Sequence, residues 1–541
     1  MFSTCKIFIS DLKQEFKGYN AGKLTKDLLA GLTVAAVALP LALAFGVASG
    51  ATAASGLITA IIAGIVMSML AGAFYQISGP TGAMAAILMS IIAQYQLQGV
   101  FIATLMAGML LLIAGLLHLG KLTSFIPAPV ITGFTSGIAI IIALGQVDNF
   151  FGVTSKGSNA VAKLMSYTKL GFSPNWTSIG IGLFVILFMI FFPKKWNSVV
   201  PASLISIVIA TVISTSFHLE VGMVGEIPKT LLPDNRLIFS SITGEHVKGL
   251  FGSSVSIAVL GMIESLLCGV SAGRMTGVKL KSDQELIAQG IGNMIVPFFG
   301  GIPATAAIAR TSVAIKSGAQ TRLTGVFHAV GLLISMFVLG PIMSQIPLSA
   351  LGGVLMVTAW RMNEWKSIHY IFSRKFKGAI LKYSLTMAAT VLFDLTTAII
   401  IGVATGLILL VVKSCAIEIA VEDVDYSRLD SEPTDDGKDW AIVYITGPVF
   451  FMTADAIKEK LDTLADRDHI VFSLRGVPMA DVTAVGILMD YYRTATAQGK
   501  EVIFSSIQPA VMEIFTRAGL TDIAGENAFY FSVDKVLNER L

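Results

Sequence analysis

Long apolar stretches, broken by short polar ones, dominate the first 414 residues. From Leu28 to Val147 the single Asp, Glu, Lys or Arg is Lys121. A bilayer core takes about 20 apolar residues per helix, so this stretch alone holds several spans. The same ruler predicts helices near 28–48, 54–75, 81–94, 98–119, 126–147, 176–193 and 198–217. Beyond a polar loop rich in Lys, Glu and Pro, a second set falls near 249–270, 285–299, 304–316, 324–345, 347–360, 379–394 and 397–415. The expectation is an all-α polytopic membrane region of about 14 helices, two of them short.

After Val412 the pattern changes. Residues 421–439 are acidic and polar. The segments 440–446 (WAIVYIT), 469–474 (HIVFSL) and 501–505 (EVIFS) read as strands, and 453–465, 482–498 and 508–518 as amphipathic helices. Strands alternating with helices predict a small α/β domain. The predicted organisation is an N-terminal segment over 1–26, a transmembrane domain over 27–416, a linker over 417–438 and a soluble domain over 439–541.

Composition agrees. The chain is 54% hydrophobic and 13% charged, with a mean hydropathy of +0.76, against about 25% charged residues in soluble proteins. Residues 1–414 carry 27 Lys and Arg against 13 Asp and Glu, whereas 415–541 carry 11 against 22. The overall +3 thus hides a basic membrane part and an acidic soluble one. Lys6, Lys13, Lys17, Lys23 and Lys26 precede the first helix. Lys121, Lys194–Lys195, Arg274–Lys281, Lys316–Arg322 and Arg361–Lys377 follow even-numbered helices, and Lys413 marks the last exit. The rule that short cytoplasmic loops are basic places both termini in the cytoplasm of a plasma (inner) membrane protein. The longer loops at 150–173 and 218–248, which also carry Lys, are the exceptions. The polar, Lys-bearing first 26 residues do not read as a cleavable signal.

Candidate chemistry lies where apolar helices are interrupted. GPTGAMAA at 79–86 and IPATAAIA at 302–309 are each a short apolar segment opened by Gly and Pro in corresponding halves. Interrupted helices at matching places point to a transporter's central site. A helix that starts inside the membrane presents unpaired N–H groups and a positive dipole end, which attract an anion. Gly79, Pro80, Thr81, Gly82 and Ala83 would bring the third helix to a ligand, and Pro303, Ala304, Thr305 and Ala306 the tenth. The plainer alternative is that Gly-Pro marks loops.

Arg310 stands two turns into an apolar segment, where a charge usually lines a cavity; it would attract the anion or balance Glu264, unless it snorkels to an interface. Glu264, deep in GMIESLLCG (261–269), can exchange a proton or pair with Na⁺ and so couple a cation to anion movement, with Cys268 one turn on. Phe45, after the helix break at Pro40, is placed to wall the pocket. Asp148 and Asp394 fall at expected helix ends and stay outside the site. HExxH, Walker and Cys-x-x-Cys patterns are absent. The expectation is therefore no enzyme, no cofactor, no metal, no nucleic-acid partner and no built-in ATPase; transport would run on gradients.

These residues resemble the SulP family of sulfate permeases, whose animal relatives include pendrin and prestin. The resemblance rests on AGLTVAAVALPLALAFGVASG (30–50), SGPTGAM (78–84), FIPAPVITGFTSGIA (125–139), GMIESLL (261–267), QGIGNMIVPFFGGIPATAAIART (289–311) and the tail. It implies two inverted seven-helix repeats, in which a core domain (helices 1–4 and 8–11) slides against a gate domain (5–7 and 12–14) as an elevator. It also implies an anion between the ends of helices three and ten, and a homodimer.

The tail, through ITGPVFFMTA (445–454) and VPMADVTAVGIL (477–488), is similar to STAS domains related to bacterial anti-sigma-factor antagonists. These have a phosphorylated Ser or Thr two residues after an Asp. Asp481 and Thr483 occupy those places, with a plain helix cap as the alternative role. A cytoplasmic protein partner for this domain is a further implication.

Leu41 and Phe45 replace a Gln and a Tyr of many sulfate permeases and look more like the sodium-dependent bicarbonate branch. That branch has Asp and Thr where this chain has Glu264 and Cys268, which favours H⁺ over Na⁺. The expectation is an inorganic-anion symporter, sulfate first. Bicarbonate is the alternative, with dicarboxylates, a passive anion channel or a membrane-anchored sensor behind it.

Overall fold

The computed structural model describes residues 2–121, 126–156, 160–193, 196, 200–393, 395–424 and 440–540. Lys194, Lys195, Asp394 and residues 425–438 of the expected linker lie outside the described residues. The chain divides into two units, Met1–Ala404 and Thr405–Leu541.

In the first unit, α1 (Phe2–Glu15) is followed by α2 (Ala21–Ala48), α3 (Ala53–Leu70), β1 (Ser78–Gly79) and α4 (Gly82–Leu116). Next come α5 (Ala128–Gly145), α6 (Val147–Phe151), α7 (Ala160–Leu170), α8 (Trp176–Phe191) and α9 (Ala202–Ser216). The second half holds α10 (Gly244–Thr276), α11 (Ser282–Ile295), β2 (Thr305–Ala306), α12 (Ile308–Lys316), α13 (Leu323–Met343), α14 (Leu348–Met362), α15 (Trp365–Ser373) and α16 (Lys377–Leu392); the division after Ala404 falls inside the last long helix, α17 (Leu395–Ser414).

Among the described residues, seven helices are long and apolar enough to cross a membrane, and three shorter apolar ones accompany them. Polar side chains start the helices: Asn20, Thr52, Thr81 and Thr243 each accept a backbone N–H three residues on. α4 is two helices in one: Gln96, at φ 55°, breaks it where the sequence predicts a boundary between 81–94 and 98–119. Its second part packs on α11 through Gly108 and Gly290. A Cβ on Gly108 would lie 2.8 Å from the Gly290 carbonyl oxygen, so the two backbones touch.

The short amphipathic helices α1, α7 and α15 are additional to the sequence expectation. α1 is tied down by charge. Glu15 holds the Arg322 guanidinium at 2.7 Å, and both side chains are nearly buried. Asp27, fully buried, accepts from Tyr19, Gln320, Thr321 and Thr324, and so fastens the start of α2 to that of α13.

The second unit is a five-stranded sheet in the order β3 (Glu418–Glu422), β4 (Trp440–Thr446), β5 (His469–Gly476), β6 (Glu501–Ser505) and β7 (Phe529–Tyr530). β4 to β7 run parallel, and β3 is an antiparallel edge. Both faces are covered, as a parallel sheet requires. Ile470, Phe472 and Phe504 face one core, and Val471 and Ile503 face another that includes Val536 and Leu537. The helices are α18 (Ala454–Asp462), α19 (Val482–Ala497), α20 (Pro509–Ala518), α21 (Leu520–Ala524) and α22 (Val533–Arg540). β3 lies inside the segment expected as linker; pairing with β4 satisfies its backbone.

Candidate anion site

The chain reaches the middle of the first unit twice in extended form, and the two pieces pair. β1 and β2 form a two-residue antiparallel ladder, Ser78 opposite Ala306 and Gly79 opposite Thr305. The Ala307 N–H extends it by donating to the Ile77 carbonyl at 3.0 Å. α4 begins three residues after β1, and α12 two residues after β2. The two helix starts that sequence reasoning paired through Pro80 and Pro303 are thus neighbours.

Glu264 joins them. One oxygen, Oε2, accepts from Thr81 Oγ1 at 2.9 Å and from Thr305 Oγ1 at 2.8 Å. The hydroxyls expected to face an anion are therefore donated to a carboxylate here. The next residue, Ser265, receives the Ala306 N–H at 3.3 Å on its Oγ, and its carbonyl receives Gln76 Nε2 at 3.0 Å. α10 thereby holds both arms with two consecutive residues.

Arg310 is 2% exposed and does not snorkel. Its Nη2 donates to the Pro80 carbonyl at 3.0 Å, and its Nη1 has no partner among the described residues. The guanidinium laps the first arm closely: a Cβ on Gly79 would lie 2.3 Å from Nη1. A buried cation with an unused donor is a fit for negative charge.

Gly82 opens α4 between Phe45 and Ile142. A Cβ there would meet Ile142 Cδ1 at 2.2 Å and Phe45 Cε1 at 3.1 Å. Phe45 therefore lies against the start of α4. Ala83 is buried in the first turn behind it, and Ala306 is buried in the ladder. Cys268 is turned to the second arm, its thiol donating to Thr311 Oγ1 at 3.3 Å, which also receives the Ile77 N–H at 3.1 Å.

The helix expected near 285–299 splints the site with polar residues that sequence reasoning did not single out. Glu285, Gln289 and Asn293 on α11 are all fully buried. The Asn293 amide donates to the Ala304 carbonyl at 2.9 Å and accepts the Ala304 N–H at 2.8 Å, acting as a strand partner. Gln289 Nε2 donates to Ser78 Oγ and to Glu285 Oε1. Their spacing of four residues, a polar stripe on one face of a membrane helix, is the signal that would have found them.

In the second unit Asp481, not Thr483, caps α19. Its Oδ1 accepts the Ala484 N–H and its Oδ2 the Phe451 N–H, each at 2.9 Å. Thr483 is exposed in the first turn.

Helices long and apolar enough to cross a membrane, two paired helix starts among them and an α/β unit after them are the build of a membrane transporter with a further C-terminal domain. The chain belongs to the sulfate permease family, whose model matches residues 24–384, and the STAS domain model matches 433–535. It is 36% identical over 536 residues to the Bacillus subtilis protein named "Putative sulfate transporter YvdB", covering 96% of this chain and 98% of that one. To the bicarbonate transporter BicA of Picosynechococcus it is 31% identical over 479 residues, covering 85% and 84%.

Among solved structures, the transmembrane domain of a cyanobacterial BicA matches with a TM-score of 0.65 at 31% identity, covering 70% of this chain and 98% of that one. The structure of SLC26A9 matches with a TM-score of 0.84 at 18% identity, covering 99% and 94%, a likeness of fold. The relatives are transporters, and this chain is an anion transporter of their family rather than an enzyme.

Proposed function

We propose that the protein is a secondary active transporter of small inorganic anions, sulfate first, coupled to H⁺ through Glu264. The observation that carries this reading is the single carboxylate oxygen held by Thr81 and Thr305 at the meeting of two helix starts. The starts of α4 and α12 offer N–H groups and positive dipole ends to an oxyanion, and Arg310 adds a buried positive charge. While Glu264 is ionised, it takes the two hydroxyls an oxyanion would use and repels it. Protonation removes that charge and turns the acid into a donor, so both hydroxyls become available to the anion. Proton and anion then bind together and leave together. Cys268, through Thr311, steadies the arm from which Thr305 projects.

The movement we propose is an elevator, with α2–α4 and α10–α13 sliding past α5, α8, α9, α14, α16 and α17. The setting is a homodimer in the plasma membrane with both termini cytoplasmic, and a STAS domain that regulates through Thr483 or a protein partner. Bicarbonate is the second reading, supported by the 31% identity to a bicarbonate transporter.

The test is uptake into proteoliposomes of labelled sulfate, bicarbonate, chloride and fumarate, with and without an inward proton gradient. Concentrative sulfate uptake that needs the gradient is the expected result. Gradient-independent equilibration of every anion would replace the carrier with a channel. A preference for bicarbonate would select the second reading.

A further inference from the structure

A second carboxyl lies buried behind the two arms. Glu285, in the first turn of α11, is fully buried and, among the described residues, is in no ion pair. Its Oε2 accepts the Gly72 N–H at 2.9 Å, and its Oε1 accepts Gln289 Nε2 at 2.8 Å. Both donors are neutral. The charged and titratable groups around it are engaged elsewhere. Arg322, before α13, is taken up by Glu15 and by the carbonyls of Met69 and Ala71. His118 of α4 pairs with Asp283. The Tyr75 hydroxyl donates to the Gly269 and Val278 carbonyls, and the Cys268 thiol to Thr311. An unpaired charge is costly at such a place, and a proton removes it.

The surroundings also hold what an acid needs. The Gln76 side chain is within hydrogen-bonding reach of Glu285. Its Nε2 donates to the Ser265 carbonyl at 3.0 Å, and its buried Oε1 has no partner among the described residues. Turning the amide over would set that oxygen against the Ser265 carbonyl, so the present orientation is fixed. Gln289 is in a similar position: its Nε2 serves Ser78 Oγ and Glu285 Oε1, and its Oε1 is unpartnered among the described residues. Two N–H donors suit the carboxylate, and the spare amide oxygens suit the O–H of the acid. Glu285 can thus be housed in either form. Lys281, one turn earlier, is exposed. Gln289, one turn later, reaches the first arm at Ser78, and Gln76 reaches Ser265, which holds the second. The carboxyl therefore stands between water and the anion site.

We infer that Glu285 is a second proton site, loaded and unloaded together with Glu264, and that the pair suits the carrier to a doubly charged anion. This rests on the anion-transport reading above. Each proton adds to a carboxylate oxygen on one side of the membrane and is lost from it on the other. Arg310 with two ionised carboxylates carries one net negative charge. Arg310 with two neutral carboxyls and a dianion carries the same, so the buried site changes partners without changing charge. A single proton would leave the loaded site one charge more negative, which is costly away from water. Glu264 stays obligatory, because it competes with the anion for the hydroxyls of Thr81 and Thr305.

The experiment is the steady accumulation of labelled sulfate by the full-length protein in proteoliposomes, under an imposed pH difference, with the membrane potential held at zero by potassium and valinomycin. Two protons per sulfate give about 100-fold accumulation per pH unit, and one gives about 10-fold. Wild type is expected to reach about 100-fold and Glu285→Gln about 10-fold, with sulfate counterflow retained in both. The new amide can accept the Gly72 N–H and donate to Gln76 Oε1, so the fold has partners for it. If Glu285→Gln is not recovered folded, Gln76→Leu removes a spare acceptor and is expected to lower accumulation toward about 10-fold. About 10-fold in wild type would overturn this proposal and leave one-proton symport standing. About 100-fold in the variant measured would also overturn it, the second proton then lying elsewhere. Wild-type protein that accumulates no sulfate at any pH difference would remove both this proposal and the reading beneath it.

Discussion

The two arms that meet in the membrane unit are built by different means. The first, Ser78 to Gly82, carries its own instructions: Thr81 caps α4, and Gly82 is the residue that fits between Phe45 and Ile142. The second, Ile302 to Ala307, borrows its shape. Ala307 has no capping side chain, and Asn293 of α11 and Ser265 of α10 hold Ala304 and Ala306 from outside. The first arm thus adds a local cap to its tertiary contacts, among them Gln289 to Ser78 and Arg310 to Pro80, whereas the second has tertiary contacts alone. Damage to the second arm should come from its neighbours, and damage to the first also from its own residues.

Glu264 serves both arms, so its replacement has the largest expected effect. Glu264→Gln keeps the shape but not the ionisation. Concentrative uptake should fall to the passive level while counterflow of the anion persists; concentrative uptake that survives would break the link between the arms and the proton.

Next comes Gly82→Ala, which places a methyl 2.2 Å from Ile142 Cδ1. It should lower uptake at least about 10-fold, since overpacking of 1–3 kcal/mol displaces the helix start. Ile142→Val in the same chain should recover most of it. Lack of recovery would mean that the side chain of Ile142 is not what confines this arm.

Asn293→Ala strips two partners from Ala304, about 2–4 kcal/mol by the usual cost of unpaired buried groups. It should lower the Tm of the detergent-purified protein by several degrees. Thr81→Ala removes the cap of α4 and a donor to Glu264, about 2–4 kcal/mol together, while Thr81→Ser keeps the hydroxyl and should stay near wild type. A Thr81→Ser as damaging as Thr81→Ala would mean that the hydroxyl carries neither role.

The smallest effect concerns α19, a locally capped helix in the soluble unit. Asp481→Ala should cost about 1 kcal/mol and Thr483→Glu, on an exposed side chain, less than about 0.5 kcal/mol, both read by thermal melting.

What was legible in the sequence follows the same division. Apolar runs marked the long helices, because length and hydropathy are local properties. Gly-Pro pairs marked the breaks, and Thr81, Thr305 and Glu264 could be named because hydroxyls and a carboxylate are conspicuous in apolar text. Their convergence on one oxygen was not legible, since it depends on how α10 crosses the ladder. The partner of Cys268 was hidden for the same reason, lying 43 residues away on Thr311. Asn293 and Gln289 stand inside a helix, and their partners Ala304 and Ser78 are set by tertiary packing. β3 passed for linker because five residues with two glutamates look solvated until β4 pairs with them. α7 was too short and too mixed for a ruler made for membrane spans.

The ladder between Ser78–Gly79 and Thr305–Ala306 also constrains how the molecule can change shape. Two chain segments more than 220 residues apart are bound like facing pages at a single spine. Parting them would tear backbone bonds between buried residues. The proposed alternation of access is therefore expected to carry both pages as one leaf, with the give at smooth seams such as the contact of Phe45 and Gly82 with Ile142.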